Sequence, residues 1–300
     1  MAFVDNTTFT GRDAEGFYSA ALLSGPSKGL LTLIPNVKSK IKLAGFDLGN
    51  ILQDADCSFS SSGEGTLEQK SFTVCPIKIN LEYCARTFET NYLSQQLRAG
   101  SMNGEVMPQS MEQYLLELTA RKVSADLETI VWQGNTTGAT YPINVCDGLL
   151  FKFSGDTDVV KPTGFALTLA NIISGITTVY NAIPTVVFPK EDLKIFMGVA
   201  ACKLYKQAVA AASAEAYYVG AKTLDFLGIE IVEAPGMPAN VIVAGALSNM
   251  FLLTDLESDF SDVLVISMMG TLGQPTLRLV GDFKFGVDYF YGDEIVYFRP

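Results

Sequence analysis

The sequence predicts an α+β fold, laid out as one elaborate domain or two interleaved ones, and three observations carry that prediction. A capped helical segment with an apolar stripe occupies residues 110 to 131. Long alternating runs typical of strands lie on either side of it, near 67 to 83 and 283 to 291. Between the helix and the last strands runs a stretch of helix-like and strand-like segments. Three hundred residues at 48% apolar content can bury a large core. With 18% charged residues and a mean hydropathy of +0.26, the chain is more apolar than a monomer requires, so part of its surface is expected to be covered by other subunits.

Residues 1 to about 40 have few periodic apolar positions and several turn formers, among them Gly11, Gly16, Gly25, Pro26 and Pro35. They predict an extended arm, with a short helix at Ala14 to Leu23, that gains order by lying on something else. From Asp47 to Glu89 two β-like runs, Ile51 to Ser60 and Leu67 to Tyr83, flank a Ser- and Gly-rich tip at 60 to 66. In the second run Phe72, Val74, Pro76, Lys78 and Asn80 alternate with Thr73, Cys75, Ile77, Ile79 and Leu81. This is a long hairpin. Because a two-stranded hairpin is marginal alone in water, it is expected to rest on a neighbouring subunit, with Ser60, Gly63, Gly65, Lys70 and Phe72 as its contact residues.

Ser110 and Gln113 form a capping box after Pro108, and Leu116, Ala120, Val123, Leu127 and Ile130/Val131 recur at helical spacing. Gly134 stands where a C-cap glycine belongs. The helix predicted here is about 33 Å long at 1.5 Å per residue. Beyond it the sequence predicts helix over Thr163 to Ala182, a short buried strand at Thr185 to Phe188, and helix over Lys190 to Ala214. Strands follow at Thr223 to Val232 and Val241 to Ala244, joined by a turn at Ala234 to Pro238. The chain closes with a strand at Val263 to Met268, a turn at Gly270 to Pro275 and long strands through Tyr297. In these Phe283, Phe285, Val287, Tyr289 and Tyr291 alternate with Lys284 and Asp288. Such a sheet needs partners far earlier in the chain, so the two ends are expected to enclose the α/β insert.

The composition restricts the chemistry. Histidine is absent, which removes Ser-His-Asp and Cys-His mechanisms and the commonest metal ligand. Five scattered cysteines, Cys57, Cys75, Cys84, Cys146 and Cys202, without Cys-x-x-Cys spacing, are expected to be reduced thiols packed as small hydrophobes. A net charge of -11 and no basic run argue against tight nucleic-acid binding. No signal sequence and no run of about 18 apolar residues is present, so a cytoplasmic chain that leaves the cell only within an assembly is expected. Asp54, Asp56, Glu64 and Glu68 read as a solvated hairpin tip in preference to a cation site. Gly25-Pro26-Ser27-Lys28-Gly29 has the composition of a phosphate loop and not its spacing, and Trp132 reads as a packing residue.

The order of arm, hairpin, long helix, α/β segment and closing strands resembles the HK97-fold major capsid proteins of tailed bacteriophages. Two segments are similar in local text: Ala125 to Asn135 followed by Cys146-Asp147-Gly148-Leu149-Leu150, and Thr223 to Pro238 with its Pro235-Gly236-Met237-Pro238 turn. The resemblance implies an HK97-like fold: an N-terminal arm at 1–46, an E-loop hairpin at 47–90, a P-domain with spine helix at 91–160, an inserted A-domain at 161–260 and P-domain closing strands at 261–300. It implies a structural protein and not an enzyme, with no cofactor and no metal. Hexamers and pentamers would self-assemble into an icosahedral shell, in a virion put together in the host cytoplasm. The shell would enclose double-stranded DNA without sequence-specific binding and without a membrane. Portal, scaffolding or decoration proteins are further implied partners. The region before the hairpin is too short for a cleaved scaffolding segment, and Lys70 does not align with a crosslinking site of the family. Two other readings stand beside this one: an encapsulin-like compartment, which has the same fold with protein cargo, and an enzyme using Asp, Glu or Tyr.

Overall fold

The computed structural model describes residues 7–9, 25–48, 65–84, 109–212, 224–255, 263–268 and 276–300, together with 52, 54, 63 and 274. In chain order these form β1 (Thr7–Phe9), a 3-10 turn at Lys28–Leu30, β2 (Thr32–Ile34), β3 (Lys40–Leu48), β4 (Gly65–Thr73), β5 (Cys75–Cys84) and α1 (Gln109–Gln133). Then come α2 (Leu149–Gly155), α3 (Ile172–Ala182), β6 (Leu193–Gly198), α4 (Val199–Ala212), β7 (Asp225–Phe226), β8 (Ile229–Ala234) and β9 (Ile242–Ala246). The last strands are β10 (Met250–Thr254), β11 (Val263–Ser267), β12 (Thr276–Tyr289) and β13 (Val296–Phe298).

The 14-residue β12 is the rib of the first sheet, whose order is β1-β11-β12-β10-β2 with β5 also paired to β12. Ten residues of β5 run antiparallel to β12, from Cys84 opposite Thr276 to Cys75 opposite Phe285, while Phe285 also faces Thr254 of β10. The expectation of partners far earlier in the chain therefore holds, and β1 and β2 from the N-terminal region join the same sheet. A second sheet, β13-β9-β6-β8-β7, is built around the parallel pair β6 and β8. It packs with α3 and α4 around a core that includes Ile172, Ile176, Val179, Ile195, Cys202, Tyr205 and Phe298. β12 and β13 are consecutive strands in different sheets, so the last residues bind the two units together.

α1 takes up its predicted role. Ala120, Leu127, Ile130 and Val131 are buried in the main core, together with Phe283, Phe285, Val287 and Tyr289 of β12. The helix starts at Gln109, so Ser110 lies inside its first turn and not ahead of it. Asp288, on the opposite side of β12 by alternation, is buried as well, and Lys152 of α2 pairs with it at 2.7 Å while donating to the Val287 carbonyl at 2.7 Å.

Several sequence expectations need correction. The strand paired with the start of the hairpin's second run is Lys40–Leu48, and the expected first run, Ile51 to Ser60, lies outside the described residues but for Leu52 and Asp54. The run Leu67 to Tyr83 is two strands, because the chain leaves one sheet and enters another at Val74. Burial changes phase there: Phe72 faces one core, and Cys75, Ile77, Ile79 and Leu81 face another. Thr163 to Ala182 is helical only from Ile172. In the extended part before it, Thr163 bridges Arg299. Thr185 to Phe188 is a turn closed by Val187 and Phe188 amides donating to the Pro184 carbonyl, since Pro184 and Pro189 bracket a stretch too short to pair. Lys190 to Ala214 contains β6 before the helix. The apolar set Leu193, Phe196 and Met197, which fits a helical period, fits a strand buried on both faces equally well. Thr223 to Val232 folds into β7 and β8 about Leu227 and Gly228, both with positive φ (49° and 88°). The helix expected at 14–23 lies outside the described residues.

Candidate assembly surface

β3 and β4 form a two-stranded sheet that belongs to neither main sheet. Its register places Phe46 opposite Leu67, and both are exposed, at 63% and 57%, an apolar cross-strand pair on the surface of the described residues. Leu52, just beyond β3, is exposed too. Toward the body the register brings Leu43 opposite Lys70 and Ile41 opposite Phe72. Phe72 is 0% exposed, in a small core with Val37 and Leu253, its ring 5.5 Å from that of Phe251. The Lys70 ammonium sits 3.5 Å over the Tyr289 ring, and the Tyr289 hydroxyl donates to Asp156 at 2.6 Å. Burial lowers the Lys70 pKa and raises that of Tyr289.

The contact residues expected from sequence therefore separate. Phe72 and Lys70 are engaged at the root within their own chain, and Gly63 (φ 84°) and Gly65 are exposed toward the tip. Ser60 lies outside the described residues. Of the acidic tip residues, Asp54 and Glu68 are exposed, and Asp56 and Glu64 lie outside the described residues. Between β3 and the body is a cavity of about 260 Å³, lined by Leu43, Gly45, Phe251, Phe290 and Tyr291, with the Lys190–Glu294 ion pair (2.6 Å) at its wall. A side chain at Gly45 would come within 2.5 Å of the Phe290 ring, so the strand passes this close only as glycine.

The second half of α1 is a docking post for the rest of the chain. On one side the 25–30 segment inserts a fully buried Lys28, whose ammonium donates to the Ser124 carbonyl at 3.1 Å and hydroxyl at 2.9 Å. Ser27 donates to Glu128 and accepts from the Trp132 indole at 2.8 Å. Glu128 is itself buried. Loss of hydration brings the Lys28 pKa down to about 8 against the attraction of Glu128, and raises that of Glu128. The stretch without phosphate-loop spacing is thus a charged plug. No local pattern reveals it, because its partners lie about a hundred residues away. Trp132 packs on Phe196 with ring centroids 5.2 Å apart, the packing role read from sequence.

On another side the Pro235-Gly236-Met237-Pro238 turn meets the helix: Gln133 donates to the Gly236 carbonyl at 2.6 Å, and a side chain on Gly236 would strike the Glu128 carbonyl. At the helix end, Gly134 and Gly148 touch backbone to backbone, the Gly148 amide donating to the Gly134 carbonyl at 2.9 Å. A side chain on Gly134 would run into the Cys146 carbonyl, so this glycine answers to a close approach and not to a left-handed cap. The two segments of similar local text are those that meet on this helix.

The cysteines depart from expectation. Cys75 and Cys146 form a disulfide across 71 residues, their Cα atoms 5.8 Å apart, because the β5 start and the loop after α1 converge at this point. No spacing rule signals such a pair. Cys202 is a buried thiol with its pKa pushed up to about 11 by burial, and Cys84 is exposed. Cys57 lies outside the described residues.

No family model matches the chain, and no curated protein matches it in sequence. Solved structures do. A satellite phage P4 procapsid including the size determination (Sid) protein matches at a TM-score of 0.61 and 10% identity, over 95% of this chain and 96% of that one. The capsid of an empty GTA particle matches at 0.61 and 12% over 100% and 94%, and the cyanophage A-1(L) capsid at 0.55 and 12% over 93% of both. The chain therefore carries the mixed α+β, HK97-like fold of phage capsid proteins along nearly its whole length.

Proposed function

We propose that this chain is a major capsid protein whose copies associate as hexamers and pentamers into a closed icosahedral shell around double-stranded DNA, a structural part of a virion and not an enzyme. In this reading β3 and β4 are the E-loop, starting at Lys40 and not at Asp47. α1 is the spine helix, the first sheet belongs to the P-domain, and the unit around β6 to β9 is the A-domain. The observation that carries the proposal is a separate two-stranded sheet with an exposed apolar pair, Phe46 and Leu67, on a chain whose fold is that of capsid subunits over nearly its full length. A surface of this kind is stable when another copy covers it. The acidic chain, at net charge -11, suits a wall that encloses a polyanion without gripping it.

Purified protein examined by negative-stain microscopy and sedimentation should form closed particles. Phe46→Ser with Leu67→Ser should leave the subunit folded, with unchanged circular dichroism, and abolish the particles. Wild-type protein that stays monomeric at all concentrations defeats the proposal. Particles that co-purify with an enzyme and exclude DNA would reassign the shell to an encapsulin-like compartment.

A further inference from the structure

The sheet of β3 and β4 has two unlike faces. Its register sets Ile41 beside Phe72 and Leu43 beside Lys70 on the side that meets the body, where Ile41, Leu43 and Phe72 join the small core and Lys70 reaches the Tyr289 ring. The opposite side, by alternation, takes Lys40, Lys42 and Phe46 from β3 and Ser71, Gln69 and Leu67 from β4, all of them exposed. Among the described residues no carboxylate falls on this side, since Glu68, opposite Gly45, belongs to the body side. Lys40 and Lys42 form no ion pair among the described residues. In chain order Ile41 separates them and they make no basic run, but an extended strand turns both to the same side, about 7 Å apart.

This cationic face stands on an acidic chain. The net charge is -11, and Asp158, Glu191, Asp225 and Asp293 are exposed on the body and in no ion pair among the described residues. One copy therefore offers carboxylates to the lysines of another. Nucleic acid fits less well, because two lysines on so acidic a chain neutralise too few phosphates to hold a duplex. We propose that this face is the docking side of the β3–β4 sheet and that its occupant is an acidic surface of a second copy of the chain, Lys40 and Lys42 meeting carboxylates while Phe46 and Leu67 are covered. The proposal rests on the reading of the chain as a self-assembling subunit, and adds which side of the sheet is used and the chemistry it faces.

Two consequences follow from the charge. Two copies cannot share this face symmetrically, because a two-fold contact through it sets lysine against lysine, and like charges across an interface oppose association. The contact is heterologous, the cationic face of one copy on the acidic surface of the next, and contacts of that kind close into rings when the rotation permits. Ionic strength controls it as well. The distance over which exposed charges act falls from about 10 Å at 0.1 M salt to about 3 Å at 1 M, so salt removes the lysine contribution and leaves the apolar pair alone.

Sedimentation velocity of the purified full-length protein over a concentration series, in about 0.1 M and about 1 M sodium chloride, tests the docking face. The wild-type concentration for half assembly should rise by about tenfold or more at the higher salt. Lys40→Glu with Lys42→Glu should keep the wild-type circular dichroism and stay unassembled at the lower salt, and Lys40→Arg with Lys42→Arg should assemble as wild type. If the glutamate variant does not fold, Lys40→Gln with Lys42→Gln decides, since it should assemble weakly and lose most of the salt response. Wild-type protein that assembles at neither salt overturns the capsid reading and this proposal together. Assembly of the wild type that ignores salt, or of the glutamate variant at wild-type concentrations, overturns this proposal alone. Normal particles of the glutamate variant that retain less nucleic acid than wild type would also overturn it, and give the face to nucleic acid.

Discussion

Lys28 and Glu128 show how much a local reading conceals. Burying a lysine and a glutamate strips both of water, and the cost is repaid only while each faces the other. Lys28→Met alone leaves Glu128 in the core without its counter-charge and should destabilise the chain by about 3–5 kcal/mol. The double change to Lys28→Met and Glu128→Leu should be close to neutral in chemical denaturation. The pH dependence has a definite sign. The folded chain holds the Lys28 proton less tightly than the unfolded one, with a pKa of about 8 against an ordinary 10.5. Between those values the unfolded state binds more protons, so the contribution of Lys28 to stability rises with pH. Glu128 is raised, so its contribution falls as pH climbs from the ordinary carboxylate value through its folded one. The wild-type denaturation midpoint minus that of the Lys28→Met variant should increase from pH 8 to pH 9.5, and a flat difference would show that Lys28 titrates as a solvated lysine.

At the scale of elements, α1 is what the sequence states most plainly. Its stripe requires an apolar partner, and the partner is β12. Leu127→Asp places an uncompensated carboxylate at a position 1% exposed, which should cost several kcal/mol and drive the protein into the insoluble fraction on expression. Wild-type yield of soluble protein would place this face outside the core. The helix, the alternation in β5 and β12, and the Pro-Gly turn were all readable because each is a pattern within one segment. β6 was not: Leu193, Phe196 and Met197 satisfy a helical spacing, and only parallel pairing with β8 shows that the segment is extended. The pairing of Lys40–Leu48 with Gly65–Thr73 has no counterpart in the sequence reading. Lys40 to Leu48 carries charged residues and two small positions, Ala44 and Gly45, which weaken its strand signal. The plug on α1 and the Cys75–Cys146 pair were invisible for one physical reason: each joins residues 70 to 100 positions apart.

For the whole molecule, cohesion comes from two cores joined through the closing strands. Cys75–Cys146 is the one covalent tie among the described residues, and no group of carboxylates or thiols among them gathers in a way that would hold a metal. A chelator should leave the thermal midpoint of the full-length protein within about 1 °C, since loss of a structural ion would move it by several degrees per kcal/mol. A fall with chelator alone would assign Asp54, Asp56, Glu64 and Glu68 a cation after all.

The pairing of β5 with β12 also sets a timetable for synthesis. Residues 75–84 emerge from the ribosome about two hundred residues ahead of their partner, 276–285. Until then one edge of a ten-residue strand has no mate and the core around α1 lacks Phe283, Phe285, Val287 and Tyr289, a state in which contacts distant in sequence cannot yet form. A nascent chain thus cannot complete its first sheet before β12 exists. Products that stop short of β12 lack the rib on which β5, β10 and β11 pair, and cannot close the main core.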